Sequence, residues 1–416
     1  MTLRTRFLLL TCLRWLPTGL IVPVYALLPL ERGLSIAELG GVVAVQGIVI
    51  LCLELPTGGL TDALGRKPVF LASAALALAS YVTSSLAQSV LAFAVATGLA
   101  GAFRALDSGP LNAWFVDAVH DAERDAEPAI AGGLSAAAAV TGLSLAAGAV
   151  ISSILVLWAP LGPGSSLAVP YVMAAVLAAA QLVGTLVLMD EDRSGRSASL
   201  FAAVRATPAV VVDGLRVLRH SRVLRALIAM QVVWGFGIIA FETLTPIRMA
   251  ELLGSRDEAA SVMGPVTAVA WGLSAVGAML VPLLLHRWSA VKVSIALRLV
   301  QAATVVAMGL AAGPVGVVIG FLATYTVHSA SGAIYETLLH RQAGRENRAT
   351  VLSLASMTMH PAASLGAVTL GAVAAGWSTG AAMVVGGIVL ALAAPLFLVR
   401  EPVSATAARR GDADRS

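Results

Sequence analysis

The stretch Gly58-Gly59-Leu60-Thr61-Asp62-Ala63-Leu64-Gly65-Arg66-Lys67 is a short polar interruption in an otherwise apolar run. On each side of it lies a segment long enough to cross a bilayer. An acid, a turn glycine and a basic pair between two such segments read as a charged hinge at a membrane surface. In a soluble protein the same ten residues would be an ordinary turn, so the apolar context decides their meaning.

That context is strong. Of the 416 residues, 58% are hydrophobic and 12% charged, and the mean hydropathy is +0.88. An average soluble domain carries about 25% charged residues. Lipid is therefore the main solvent, and the net charge of +4 is a matter of membrane topology rather than of nucleic-acid binding. The two cysteines, Cys12 and Cys52, sit apart in apolar stretches, which argues against a disulfide framework or a zinc site. The first twenty residues imitate a secretory signal. Arg14 breaks the apolar run and no small-residue cleavage site follows, so they are expected to be a retained first span.

A helix needs roughly 20 apolar residues to cross about 30 Å of hydrocarbon. Twelve stretches qualify: 6–29, 36–57, 68–88, 90–116, 130–157, 168–189, 223–247, 263–285, 290–311, 314–338, 349–375 and 379–399. The expected class is an all-α polytopic membrane protein. Residues 1–189 would form one six-helix bundle, 190–222 a cytoplasmic linker, 223–400 a second bundle and 401–416 a cytoplasmic tail. With the N-terminus inside, 21 Lys and Arg fall in inner segments and 3 in outer loops. This asymmetry places both termini in the cytoplasm and the chain in the cell's inner membrane. An offset of 223 superposes Ser108-Gly109 on Ser331-Gly332 and Glu123 on Glu346, as a repeated bundle would.

An ionisable side chain at the bilayer centre costs about 2.5–3.5 kcal/mol, so each one is a candidate for function. These are Arg14 in span 1, Glu54 in span 2, Arg104 and Asp107 in span 4 and Glu242 in span 7. Arg298 in span 9, His328 and Glu336 in span 10 and His360 in span 11 complete them. Spans 1, 4, 7 and 10 recur, each the first of a triplet, which suggests one shared polar cavity. Arg104 and Asp107 lie three apart on one helix face and are placed to pair, either as packing or as a relay. His328 and His360 are each open to two roles, a titrating group or a hydrogen-bonded neutral one. Arg298 is expected to snorkel, Glu336 to be wet, and Glu242 to pair with Arg248. Trp15, Trp234 and Trp271 are read as cavity walls, packing or interfacial anchors.

Twelve spans, six plus six, with this loop between spans 2 and 3 resemble the major facilitator superfamily. Its signature reads Gly-x-Leu-Ala-Asp-Arg-x-Gly-Arg-Arg/Lys, and Gly58, Leu60, Asp62, Gly65, Arg66 and Lys67 occupy the matching places. Thr61 and Ala63 depart from it. The resemblance implies that Asp62 caps a helix or pairs with an Arg to hold the cytoplasmic side shut. It also implies that Gly65 allows the turn, that Arg66 and Lys67 anchor it, and that Arg104 serves proton coupling. In that family Gly follows the span-4 Arg by four residues, whereas Gly109 follows Arg104 by five. Glu54-Leu55-Pro56-Thr57-Gly58 is similar to bacterial drug-efflux-like members, although span 5 has Gly142 and Gly148 without their Gly-Pro pair. The counterpart loop at His286–Lys292 has Arg287 in place of an Asp.

The expected function is alternating-access transport of a small organic molecule, with proton-coupled efflux foremost. An uptake permease is the alternative, and a membrane sensor is the reading from another class. No enzyme is expected, no cofactor beyond a proton gradient, and no partner beyond lipid and the small-molecule substrate.

Overall fold

The computed structural model describes residues 1–107, 109–122, 126–159, 165–191, 218–219, 221–342 and 348–399. Most of the 190–222 linker and the whole 401–416 tail lie outside these residues. Among them all regular structure is helical. The first half comprises α1 (Leu3–Ile21), α2 (Leu27–Glu31), α3 (Ile36–Leu64), α4 (Arg66–Leu86), α5 (Val90–Leu106), α6 (Pro110–Ala122), α7 (Glu127–Trp158) and α8 (Val169–Leu188). The second comprises α9 (Arg222–Glu242), α10 (Leu244–Leu253), α11 (Arg256–Met279), α12 (Val281–Arg287), α13 (Ala290–Leu310), α14 (Pro314–Gln342), α15 (Arg348–Gly376) and α16 (Thr379–Ala391). Ten helical segments are long and apolar enough to cross a membrane. The helices α1, with three arginines, and α15, with His360-Pro361, are as long but more polar, and they bring the traversals to twelve.

Several traversals are two helices end to end. Spans 1 and 7 both break toward the side away from most basic residues, at Val22–Ala26 and at Thr243. Span 4, expected as a continuous 90–116, breaks inside the membrane. Gly109 has φ +132° and its N–H donates to the Asp107 carbonyl at 2.7 Å, with Pro110 opening α6. Asp107-Ser108-Gly109-Pro110 is a breaker sequence: proline lacks a helical donor and biases the residue before it away from the helix. In the second half α14 runs unbroken through Ser331-Gly332, so the repeat is broken here.

The packing order carries the symmetry. In the first half α1 packs on α7 and α8, α4 on α8 and α5, and α3 on α5. In the second, α9 packs on α15 and α16, α13 on α16 and α14, and α11 on α14. Numbered as spans, every first-half pairing recurs six spans later. The two halves meet along two seams, α3 against α15 and α7 against α11, which the same exchange interconverts. Small residues make both seams close, as expected where lipid supplies no hydrophobic drive. A Cβ on Gly47 would sit against Ser364 and 2.8 Å from the His360 carbonyl, and one on Gly264 would sit against Ala149 and Ser153.

The opening stretch is less of a loop than expected. α3 continues to Leu64, so Gly58 through Leu64 are helical, and Gly65 alone separates α3 from α4. Its φ of +96° is a conformation that suits glycine, and Pro68 falls in the first turn of α4. The Glu191 carboxylate accepts from the N–H groups of Arg66 (2.7 Å) and Lys67 (3.0 Å), capping α4 with an acid at its positive end. Arg66 also pairs with Asp117 of α6 at 3.2 Å, and Lys67 Nζ donates to the Leu186 carbonyl at 2.9 Å. The basic pair thus ties α3–α4 to α6 and to the end of α8. The surroundings of Gly58 and the side chain of Asp62 lie outside what is described, while Leu60 is half-buried.

Candidate functional site

A cavity of about 330 Å³ lies between the halves. The first half contributes faces of α1, α3, α4, α5 and α8, and the second contributes the end of α9 and the middle of α15. Its walls are mostly apolar and aromatic, with Tyr25, Tyr81, Phe93, Phe103 and Tyr171 among them. Polar groups are few: Thr18, Gln46, Ser80, Ser84, Thr97, Arg104, Glu242, Thr243, His360 and Ser364. A concave, largely apolar site with a handful of convergent polar groups is the usual form of a small-molecule site.

The charges in and beside it sort themselves by geometry. Asp107 pairs with Arg14 of α1 and not with Arg104, although Arg104 shares its helix. Asp107 caps α5 in helical register, its N–H donating to the Phe103 carbonyl, and its carboxylate is taken by Arg14 of the neighbouring helix. Arg14 also donates to Thr18 at 3.0 Å and lies 4.7 Å from the Trp15 ring centre and 5.2 Å from that of Phe103. Burial of the pair is nearly complete, and its charges cancel. Arg104 is left as the cavity's cation. It is exposed to the cavity and has no hydrogen-bond or ion-pair partner among the described residues.

The opposing acid comes from the other half. Glu242, at the last turn of α9, faces the cavity within electrostatic reach of Arg104. It does not pair with Arg248, which instead binds Glu251 at 3.1 Å and the Ala311 carbonyl at 3.1 Å. Its partner is the Tyr325 hydroxyl, which donates to Oε1 at 3.3 Å. Tyr325 is held by Phe321, Phe241, Trp271 and a stacked His328 at 5.3 Å between ring centres. Spacing in sequence favoured Arg248 because it lies six residues on; the turn at Thr243 and Pro246 carries it away.

The remaining candidates separate. His360 lines the cavity beside the α3–α15 seam. His328 lies outside the lining, in the aromatic cluster of the second half, with Trp234 and Trp271. Arg298 does not snorkel: it is 5% exposed, with its guanidinium 4.7 Å from the Trp234 ring centre. Glu336 is exposed and outside the cavity. Glu54 accepts from Ser356 at 2.5 Å, bridging the halves at the basic end of the α3–α15 seam.

At the opposite end three bonds among the described residues bridge the halves. Tyr25 donates to Thr243 at 2.7 Å, Ser166 to Asp257 at 2.6 Å and Ser153 to the Ala260 carbonyl at 2.8 Å. Tyr25 and Thr243 sit at the equivalent breaks of spans 1 and 7, directly over the cavity. Reading the spans as continuous helices conceals this latch; Pro23 and Pro246 were its signal in the sequence.

Residues 7–367 match the sequence profile of the Major Facilitator Superfamily. No curated protein matches the sequence. Solved structures resemble it in fold. A mutant form of the nucleoside transporter NupG superposes with a TM-score of 0.80 at 12% identity, over 95% of this chain and 99% of that one. A D-xylose-proton symporter gives 0.72 at 16%, over 96% and 97%. The human organic anion transporter MFSD10 (TETRAN) gives 0.62 at 16%, over 95% and 98%.

Proposed function

The chain belongs to the Major Facilitator Superfamily, and as one of its multi-pass membrane transporters we propose that it carries a small organic anion by alternating access, coupled to protons. The observation that carries this reading is Arg104, a cation without a hydrogen-bond or ion-pair partner among the described residues, inside a cavity of about 330 Å³. An anionic group on the substrate completes its coordination, and the aromatic walls take the apolar remainder.

Glu242 supplies the proton site. Ionised, it attracts Arg104 across the cavity and competes with a bound anion. Protonated, it leaves Arg104 to the substrate and turns the Tyr325 hydrogen bond into one between neutral groups. Proton and substrate therefore bind cooperatively, and the two move in the same direction. The halves rock about the α3–α15 and α7–α11 seams. The Tyr25–Thr243 latch opens on one side, and contacts such as Glu54–Ser356 give way on the other. Asp62, by resemblance to the signature, serves the closure of the basic side. The positive-charge asymmetry supports a cytoplasmic location for that side and for both termini, in the inner membrane.

A second reading has an observation of its own. The segment Glu54-Leu55-Pro56-Thr57-Gly58 is similar to drug-efflux-like members, and efflux by exchange needs a substrate that competes with the proton. A cationic compound bound by ionised Glu242 meets that need. The pH dependence of binding separates the two. An anion that binds more tightly to purified protein as pH falls supports cooperative transport. A cation that binds more tightly as pH rises supports exchange.

A further inference from the structure

The second half holds a cation that the central cavity does not use. Arg298, on α13, is buried to 5% exposure, and one of its Nη atoms donates to Gln301 Oε1 at 2.9 Å. Among the described residues its Nε has no partner, and neither does the Gln301 amide nitrogen. Three more buried polar atoms on α13 and α14 lack a partner among these residues: the hydroxyls of Ser294 and Ser331, and His328 Nδ1. Ser294, Arg298 and Gln301 share one face of α13, four and then three residues apart. His328 and Ser331 lie one turn apart on α14, which packs against α13. His328 and Tyr335 are within electrostatic reach of Arg298, and Trp234 forms the wall they share.

All five unpartnered groups can donate a hydrogen bond: a guanidinium, an amide NH₂, two hydroxyls and an imidazole. Among the described residues no carboxylate contacts any of them. The neighbours facing Arg298 are Trp234, His328, Gln301 and Tyr335, and Tyr335 is engaged with the Leu227 carbonyl at 3.3 Å. A buried cation surrounded by donors is costly unless a negative group joins it. We propose that Arg298, Gln301, Ser294, His328 and Ser331 form a binding site for one small monovalent anion inside the second bundle. One negative charge neutralises the one positive charge. The half-buried Trp234 packs against both Arg298 and His328 and forms its wall. The site is separate from the Arg104 cavity and does not depend on what that cavity carries.

The test uses full-length purified protein, first freed of halide in a gluconate buffer. Melting temperature and tryptophan emission are followed during addition of chloride, bromide or formate at constant ionic strength. A saturable rise in melting temperature is expected, about 5 °C at a hundredfold excess over Kd. Bromide should also quench tryptophan emission saturably, and Trp234→Phe should remove that component. Arg298→Met should abolish both responses while melting no lower than wild type in gluconate, since it removes an uncompensated charge. A response to halides alone assigns the site to an inorganic ion, and one to formate alone assigns it to a carboxylate on an organic ligand. Should Arg298→Met not fold, Gln301→Leu tests the same site and should weaken the anion response at least tenfold. Wild-type protein that shows no saturable response to any of the three anions overturns the proposal. So does a response unchanged by the substitutions.

Discussion

Replacing Asp107 by Asn tests whether the Arg14–Asp107 pair holds span 4 at its break. The side chains of the pair are only 7% and 10% exposed, so solvent screening does not dilute the interaction. Removing one member of a buried pair typically costs about 3–5 kcal/mol, mostly through the uncompensated charge left behind. At roughly 2 °C per kcal/mol, Asp107→Asn should lower the melting temperature by about 6–10 °C, and Arg14→Met by a similar amount. Removing both together, as Arg14→Met with Asp107→Asn, leaves no buried charge and should recover most of the loss. The assay is thermal unfolding of each purified variant in detergent, followed by dye-independent fluorescence and assembled as a double-mutant cycle. It needs no substrate. Single variants melting within about 2 °C of wild type, or a double variant falling by the sum of the singles, would refute the pairing as a structural element.

Further outcomes follow from other contacts. Gly65→Ala places a Cβ at φ +96° and ψ 163°, a region kept essentially for glycine, and should cost about 1–3 kcal/mol, read as a lower melting temperature with unchanged membrane insertion. Gly47→Val should arrest transport, because its side chain would wedge the α3–α15 seam at the His360 carbonyl; insertion and expression should be retained, and full transport would show the seam to be loose. Tyr25→Phe removes one bond that latches the side away from the basic residues. Worth about 0.5–1.5 kcal/mol, its loss should raise the population open on that side by roughly 2–12-fold. Thiol labelling of a cysteine placed at Ser84 would report that opening, and an unchanged labelling rate would remove Tyr25 from the latch. Arg104→Gln should abolish binding of organic anions without lowering the melting temperature, since among the described residues Arg104 has no hydrogen-bond or ion-pair partner to leave behind.

Composition and apolar periodicity carry the fold because lipid imposes one demand on every span. A helix satisfies its own backbone, so length and hydropathy suffice to place it. What they do not carry is rotation and interruption. Three-residue spacing put Arg104 and Asp107 on one helix face, but it says nothing of what a neighbouring helix presents, and Arg14 of α1 takes the Asp107 carboxylate. Asp107-Ser108-Gly109-Pro110 held the interruption of span 4, but an apolar stretch on both sides made a continuous span the simpler reading. Glu242 and Arg248 fail across the turn at Thr243. Arg298 was legible as an intramembrane charge, but its depth was not. Snorkelling depends on whether neighbouring bulk blocks the side chain, and Trp234 comes from a helix 64 residues earlier in the sequence. The Gly65 turn and the basic pair after it were legible because a positive φ and a helix N-terminus are local demands.

The central claim is that a proton on Glu242 and an anion on Arg104 travel together. Its most direct measurement is proton movement into proteoliposomes carrying a trapped pH dye, started by adding an organic anion that stabilises the wild-type protein in a thermal screen. Wild-type proteoliposomes should acidify. Glu242→Gln should not, while that variant still exchanges labelled for unlabelled anion across the membrane. Lumenal alkalinisation on addition of the anion, or acidification undiminished in Glu242→Gln, would contradict it.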